Sequence, residues 1–131
     1  AADFIMDKPK GFKERIVEGA GNLSGGQKQR LSIARALVRK PDIYIYDDSF
    51  SALDMKTDAV LRQALKPEVK NAIVIIVAQR VSTIMDADQI LVLDEGRLAA
   101  SGRHEELLKT CPLYYEIAAS QLSEEELQNV C

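Results

Sequence analysis

Two short segments of the chain combine residue types that are suited to phosphate and metal chemistry. Residues 24–26 read Ser-Gly-Gly just before a predicted helix, and an apolar run at residues 43–46 ends in Asp47 and Asp48. Two glycines let the backbone approach an anion closely, and the unpaired N–H groups of a helix N-terminus favour negative charge. A carboxylate at the end of a buried parallel strand is a suitable Mg²⁺ ligand. Taken alone, each segment also has a simpler interpretation, namely a Ser N-cap of a helix and a solvated loop after a strand.

The spacing of apolar residues predicts the elements that would position these segments. A helix is predicted from Ser24 to the residue before Pro41. Its apolar face consists of Leu31, Ala34, Leu37 and Val38. The run at residues 72–77 is so continuously apolar and β-branched that both of its faces are expected to be covered, as in a parallel sheet. The other predicted elements are a helix end at residues 1–6, an irregular segment at 12–22, a helix at 57–65 that stops before Pro67, a hairpin at 90–93 and 97–100, and helices at 104–109 and 113–122.

Composition excludes several classes of protein. The chain has 131 residues, the size of one domain, and its net charge of -3 argues against a nucleic-acid partner or an anionic membrane surface. Its longest wholly apolar run, residues 72–78, is too short to cross a bilayer, and residues 1–20 are not expected to act as a signal peptide. Cys111 and Cys131 lack metal-site spacing and are expected to be reduced thiols. His104 has no Cys or His close by in sequence, so a surface or capping role is predicted for it.

Longer motifs around both segments resemble a known family. Leu23, Ser24, Gly25, Gly26 and Gln27 are followed by Lys-Gln-Arg, and this octet is similar to the signature sequence of ABC transporters. The residues after Asp48 include Ser51, Ala52, Leu53 and Asp54, which resemble the D-loop of that family. The chain therefore resembles the second half of an ABC nucleotide-binding domain, and residues 82–117 favour the exporter type over importers and DNA-repair relatives.

The resemblance implies a role for each of these positions. Residues 23–27 would contact the ATP that a partner ATPase domain holds, and Asp47 would bind Mg²⁺ at the chain's own ATP. Asp48 would stand where most relatives carry the catalytic Glu, and Gln79 where they carry the switch His. Glu18 matches an acidic position in the loop that touches the transmembrane coupling helices.

Asp48 and Gln79 are departures from the family pattern that would weaken catalysis in the chain's own site. An Asp carboxylate is withdrawn by about 1 Å relative to Glu, and misplacement on that scale can cost about a hundredfold in rate. Gln79 can donate a hydrogen bond but cannot exchange a proton. With an intact signature segment beside an impaired catalytic pair, the chain resembles the degenerate half of a heterodimeric exporter.

The implied fold class is α/β, a partial RecA-like P-loop NTPase core with a mostly parallel sheet and a remnant of the helical subdomain. The expected divisions are residues 1–40 for the helical subdomain end, 41–122 for the ATPase core and 123–131 for a disordered acidic tail. The expected ligands are ATP and Mg²⁺, and the expected partners are a second ABC ATPase domain and transmembrane domains, at the cytoplasmic face of a membrane. No G-x-x-x-x-G-K-[ST] loop occurs in residues 1–131, so this stretch alone is expected to be inactive. Two alternatives are a non-catalytic dimerisation module and an ABC ATPase without a transport role.

Overall fold

The chain forms two compact α/β units. A computed structural model describes residues 1–128, and the boundary between the units falls after Val77, giving Ala1–Val77 and Ala78–Cys131. Each unit has its own hydrophobic core. No helix among the described residues is both long and apolar enough to cross a membrane.

The first unit places a two-stranded parallel sheet against helices. Its elements are α1 (Ala2–Met6), short 3₁₀ turns at Gly11–Lys13 and Glu18–Ala20, α2 (Gly25–Val38), β1 (Ile43–Asp47), α3 (Met55–Glu68) and β2 (Ile73–Val77). The strands pair in register from Ile43 opposite Ile73 to Asp47 opposite Val77. The core consists of Ile33, Tyr44, Tyr46, Phe50, Leu53 and Leu65. The expected α/β fold with a parallel sheet is therefore confirmed.

The two faces of this sheet differ in burial. Tyr44 and Tyr46 point into the core, whereas Ile45 between them is 67% exposed, as the two-residue period of a strand requires. On β2, four of five side chains are exposed, so the prediction that both faces of this strand are covered was wrong for residues 1–128. Within that range β2 pairs with β1 alone. An apolar strand sequence is compatible with burial on both faces, but it does not identify the elements that would bury them.

Both long helices of the first unit differ from their predictions in detail. The buried residue of α2 is Ile33, whereas Val38, predicted on the apolar face, is 83% exposed at the last position of the helix. The helix α3 does not stop before Pro67 but includes it and ends at Glu68. A proline so close to the C-terminus removes a single helical hydrogen bond, and the N–H of Val69 still closes the last turn on the carbonyl of Leu65 at 3.1 Å.

The second unit combines an antiparallel hairpin with short helices. Its elements are α4 (Val81–Ile84), β3 (Ile90–Asp94), β4 (Arg97–Gly102), α5 (His104–Thr110), α6 (Pro112–Ala119) and α7 (Glu124–Gln128). The predicted hairpin turns through Glu95 and Gly96, both with positive φ. The core consists of Val81, Ile90, Val92, Leu107, Cys111, Tyr114 and Ala118. Cys111 is buried and forms no disulfide within residues 1–128.

A helix replaces part of the predicted disordered tail. Residues 124–128 form α7, and Leu122 and Leu127 pack against the core of the second unit. Two leucines within an acidic sequence thus supply the apolar contact that holds this helix. Residues 129–131, including Cys131, lie outside the described part of the chain.

Candidate functional site

The Ser-Gly-Gly turn is the capped N-terminus of α2. The Ser24 hydroxyl oxygen accepts a hydrogen bond from the backbone N–H of Gln27 at 3.2 Å, and the Gln27 side-chain oxygen accepts one from the N–H of Ser24 at 3.0 Å. This reciprocal pair is a capping box, so the simpler N-cap interpretation holds. The cap does not consume the donor capacity of Ser24, because its hydroxyl accepts in the cap and keeps its own hydrogen to donate.

The glycines of the turn lie against the segment that follows the two aspartates. A Cβ on Gly26 would come within 3.2 Å of both the Ala52 carbonyl oxygen and a Leu53 methyl group, and a Cβ on Gly25 within 3.5 Å of the Ala52 Cβ. The N–H groups of Gly25 and Gly26 precede the first full turn and have no helical acceptor within the described chain. The turn thus presents backbone donors while its glycines permit a close approach to residues 52 and 53.

The two aspartates stand at the carboxyl end of β1. Asp47 is the last strand residue, opposite Val77, and both carboxylates are exposed. Asp48 has a φ of 49°, in the left-handed region that non-glycine residues rarely adopt but that Asp tolerates better than most. Its N–H donates to the Val77 carbonyl at 2.9 Å, so the parallel ladder extends one residue beyond the strand. The backbone of Asp48 is therefore held on the sheet although its conformation is strained.

One side chain that the sequence motifs left without a role joins the helix to this region. Gln29, on the second turn of α2, donates from Nε2 to the Asp48 carbonyl at 3.2 Å and to the Ser51 hydroxyl at 3.1 Å, and its Oε1 accepts from the Ala52 N–H at 3.0 Å. The signal in the sequence was limited to its place in the octet, because the bonds span 19 to 23 residues of chain.

The last residue of the predicted D-loop has a structural function. The Asp54 carboxylate is the N-cap of α3 and accepts from the Thr57 N–H at 2.9 Å. Hydrogen bonds from the side chain and backbone of Thr57 lower the pKa of Asp54, which keeps this exposed group ionised. Residues 51–54 thus run from the Gln29 contact directly into a capped helix.

The fit of Mg²⁺ to the aspartates depends on what else would coordinate it. Residues 1–128 contain no group of three or more His, Cys, Asp or Glu side chains arranged to hold a metal ion. Mg²⁺ commonly takes one or two carboxylates and completes its octahedron with water and substrate phosphates. The exposed carboxylate of Asp47 at a fixed strand end suits that mode of binding, and it does not suit a site built from protein ligands alone.

Glu18 lies in a tightly tied loop of the first unit. It begins the 3₁₀ turn Glu18–Ala20 and is exposed. The Lys28 ammonium donates to the Gly19 carbonyl at 3.1 Å, and the Asn22 amide donates to the Arg15 carbonyl at 3.0 Å. These bonds fix the loop while its Glu side chain remains accessible.

Gln79 belongs to the second unit, where another glutamine fixes its backbone. The Gln121 side chain donates to the Gln79 carbonyl at 2.9 Å and accepts from the N–H of Val81, also at 2.9 Å. The Gln79 side chain itself is exposed. A single amide therefore brackets the predicted switch residue, a role of Gln121 that the sequence did not reveal because 42 residues separate the two.

His104 is buried, so the predicted surface role was wrong. It is 5% exposed at the start of α5, and its Nδ1 lies 2.7 Å from the Tyr114 hydroxyl. Its Nε2 is buried and has no hydrogen-bond partner among residues 1–128. Burial lowers the pKa of His104, against the smaller opposing effects of Glu105 and Asp86, and burial raises the pKa of Tyr114 to about 12. The pair is neutral at physiological pH and belongs to the core of the second unit.

Comparison with known proteins decides which family carries this arrangement. A profile of the ABC transporter family matches residues 4–51, which include the capped glycine turn and both aspartates. An ABC transporter ATP-binding protein of Mycobacterium tuberculosis, described as uncharacterized, is 50% identical over 121 residues, or 92% of this chain and 21% of that protein. The chain is part of an ABC transporter ATP-binding domain.

Other members of the family show the same relation. Human ATP-binding cassette sub-family B member 5 is 46% identical over 121 residues, covering 92% of this chain and 10% of that protein. The structure of a bacterial Atm1-family ABC exporter with ATP bound superposes with a TM-score of 0.88 at 44% identity, covering 94% of this chain and 22% of that one. The chain thus spans about a fifth of the length of the first curated relatives that it matches. The similarity confirms the resemblance to ABC ATPase domains of the exporter type.

Proposed function

We propose that this chain is part of the ATP-binding and ATP-hydrolysing subunit of an ABC exporter, which couples ATP binding and hydrolysis to transport across a membrane. The observation that carries the proposal is the packing of the glycine turn against residues 51–54, directly after the aspartates of β1. The proposed phosphate donors and the carboxylate pair thus belong to neighbouring segments of the first unit. Transmembrane domains and a second ABC ATPase domain would be its partners, at the cytoplasmic face of the membrane.

In this proposal the turn serves an ATP that the partner domain holds. Residues 23–27 would contact it through the backbone N–H groups of Gly25 and Gly26 and the Ser24 hydroxyl, with Gln27 holding the cap. Asp47 would hold the Mg²⁺ of the chain's own ATP, and the ion would neutralise charge on the phosphates there. The segment of Ser51, Ala52, Leu53 and Asp54 would lie between the two sites, as its contacts with the glycine turn and with Asp48 support.

We further propose that the chain's own catalytic site is weakened and that its partner is a different ATPase chain. Asp48 carries a shorter side chain than Glu and emerges from a backbone that is held on the sheet, so its carboxylate has little freedom to extend. The exposed amide of Gln79 cannot take up a proton. A homodimer would carry these changes in both sites, whereas a heterodimer keeps one competent site.

The loop around Glu18 is the proposed contact with the transmembrane domains. Ile16 and Val17 are exposed next to it, so the loop offers two apolar side chains and one acidic side chain at the surface. Two relatives are named multidrug resistance proteins 1 and 4 of Entamoeba histolytica, at 42% identity each. These names support an exporter, and they do not define a transported substrate for this chain.

The test uses the parent protein assembled with its partner in vesicles. We expect ATP-dependent association of the ATPase domains, steady-state ATP hydrolysis and ATP-driven transport. Asp48→Ala should leave most of the total hydrolysis intact, because the competent site lies on the partner. Association without hydrolysis would instead identify a non-catalytic dimerisation module. Hydrolysis that does not depend on the transmembrane domains would identify an ATPase without a transport role. Complete loss of activity in Asp48→Ala would refute the proposal that the chain's own site is weakened.

A further inference from the structure

Gln29 forms three hydrogen bonds to residues that lie 19 to 23 positions further along the same chain. Its amide N–H groups go to the Asp48 carbonyl at 3.2 Å and the Ser51 hydroxyl at 3.1 Å, and its carbonyl oxygen accepts from the Ala52 N–H at 3.0 Å. Both donors and the acceptor are thus used on one short segment. Among side chains of this length only Gln has both functions, since ionised Glu has no donor and Met has no donor and only a weak acceptor.

Through its backbone in α2, Gln29 is linked to the glycine turn, residues 24–26. Gly25 and Gly26 lie four and three residues before it, which places all three on the same face of α2. That face rests on the Ala52 backbone and on Leu53, at the 3.2 to 3.5 Å separations that a Cβ on either glycine would meet. The hydrogen bonds of Gln29 and the glycine contacts therefore hold the same two surfaces together.

Through its side chain, Gln29 binds the backbone of Asp48, a candidate catalytic residue. The Asp48 carbonyl accepts from Gln29, from the Ser51 hydroxyl at 3.0 Å and from the Ser51 N–H at 3.4 Å, and the Asp48 N–H is bound to Val77. These contacts over-determine a residue whose φ of 49° is otherwise unfavourable. Loss of Gln29 removes one hydrogen bond from the Asp48 carbonyl and the side-chain acceptor of the Ala52 N–H.

We propose that Gln29 is a positioning residue that locks the glycine turn and the Asp48 backbone into one rigid body. The inference rests on the proposed function, in which the turn serves the partner's ATP and Asp48 the chain's own. Gln29 then fixes the geometry of one site relative to the other within a single chain. It does not touch nucleotide, and its effect passes through Ala52 and Asp48.

The experiment compares Gln29→Met with Gln63→Met in the parent transporter assembled with its partner. Met preserves the length and approximate volume of Gln29 while removing all three hydrogen bonds, and Gln63 is an exposed residue of α3 that lies outside the two segments that Gln29 joins. We expect Gln29→Met to lower kcat for total ATP hydrolysis about tenfold, with KM changed less than about twofold, because misplaced donors act on the transition state. Gln63→Met should match the wild type.

A second readout separates positioning from general stability. Hydrogen exchange of the Ala52 amide should accelerate in Gln29→Met while the melting temperature of the assembly stays within about 2 °C of the wild type. Unchanged kcat in an active assembly, or a kcat loss accompanied by a matching rise in KM and a lower melting temperature, would overturn the inference about Gln29 alone. A wild-type assembly without ATP hydrolysis would overturn the proposed function, and this inference with it.

Discussion

Substitutions at Ser24 separate its structural role from its proposed role at the phosphates. In the structure its hydroxyl oxygen caps α2 through the Gln27 N–H, and the hydroxyl hydrogen is left to donate elsewhere. Ser24→Ala removes both functions. Loss of the cap costs about 1 kcal/mol of stability, and loss of one aimed donor in a dry phosphate site costs about 3 kcal/mol of transition-state stabilisation, or roughly two decades in rate.

Ser24→Asp provides the matched variant that keeps the cap. Asp is as good an N-cap as Ser, and a negative charge at a helix N-terminus is favourable, so stability should be retained or rise by up to about 0.5 kcal/mol. The same carboxylate lacks a donor and repels the phosphates, so hydrolysis should fall at least as far as in Ser24→Ala. Both variants should lose nearly all ATPase activity in the assembled transporter, although only Ser24→Ala should lose stability.

The assay is steady-state ATP hydrolysis of the assembled parent protein, with thermal unfolding of the same samples. If Ser24→Asp retains more than about a tenth of the wild-type rate, the turn does not contact nucleotide and the cap is its entire function. If Asp48→Ala is as inactive as Ser24→Ala, the ATP site of this chain is as important for hydrolysis as the ATP site of its partner. The comparison is informative because Ser24→Ala and Ser24→Asp differ in their ability to cap α2, whereas both lack the hydroxyl donor.

Three further outcomes are expected from the structure. Burial lowers the pKa of His104 from its ordinary 6.5, so the unfolded state takes up a proton at a higher pH than the folded state does. The stability of the second unit should therefore be full above about pH 6.5 and decline as the pH falls below it. The protection of α5 against hydrogen exchange should differ between pH 7.5 and 5.5, and His104→Gln should reduce that difference. A polypeptide of residues 1–131 should self-associate with rising concentration in light scattering, through the exposed face of Ile43, Ile45, Ile73, Ile75 and Val77, and Ile45→Lys should reduce the measured mass. The same polypeptide should show no micromolar ATP affinity by calorimetry, since its motifs offer few phosphate donors, and measured micromolar binding would contradict that expectation.

Local patterns in the sequence predicted local features of the structure well. The capped start of α2 follows from a Ser with a Gln three residues later, and the β3–β4 hairpin follows from Glu-Gly between apolar runs. Parallel pairing of β1 with β2 follows from their continuous apolar composition. Each of these depends on neighbours within a few residues or on the period of a single element.

Features that depend on distant partners were not predictable in this way. The left-handed backbone of Asp48 is maintained by Val77 and Gln29, and the buried His104 ring shares a hydrogen bond with Tyr114 of the next helix. The helix α7 forms in an acidic segment because Leu127 reaches the core. In each of these cases the deciding contact is made by a residue distant in sequence. Composition and periodicity do not reveal such contacts, so they predict a solvated or disordered residue instead.

The left-handed conformation of Asp48 also bears on the departure from the family's Glu. Asp tolerates a φ of 49° better than Glu, because its short polar side chain can bond to nearby backbone. The conformational penalty for Asp48→Glu is then below the roughly 1–2 kcal/mol that a left-handed residue costs in general. The reach restored by the longer side chain can be worth about a hundredfold, or about 2.7 kcal/mol. The catalytic term exceeds the conformational one, so Asp48→Glu combined with Gln79→His should raise hydrolysis in the chain's own site, and modestly, because that site also depends on the partner's turn. A fall in rate would mean that the backbone strain, and not the length of the side chain, limits this position.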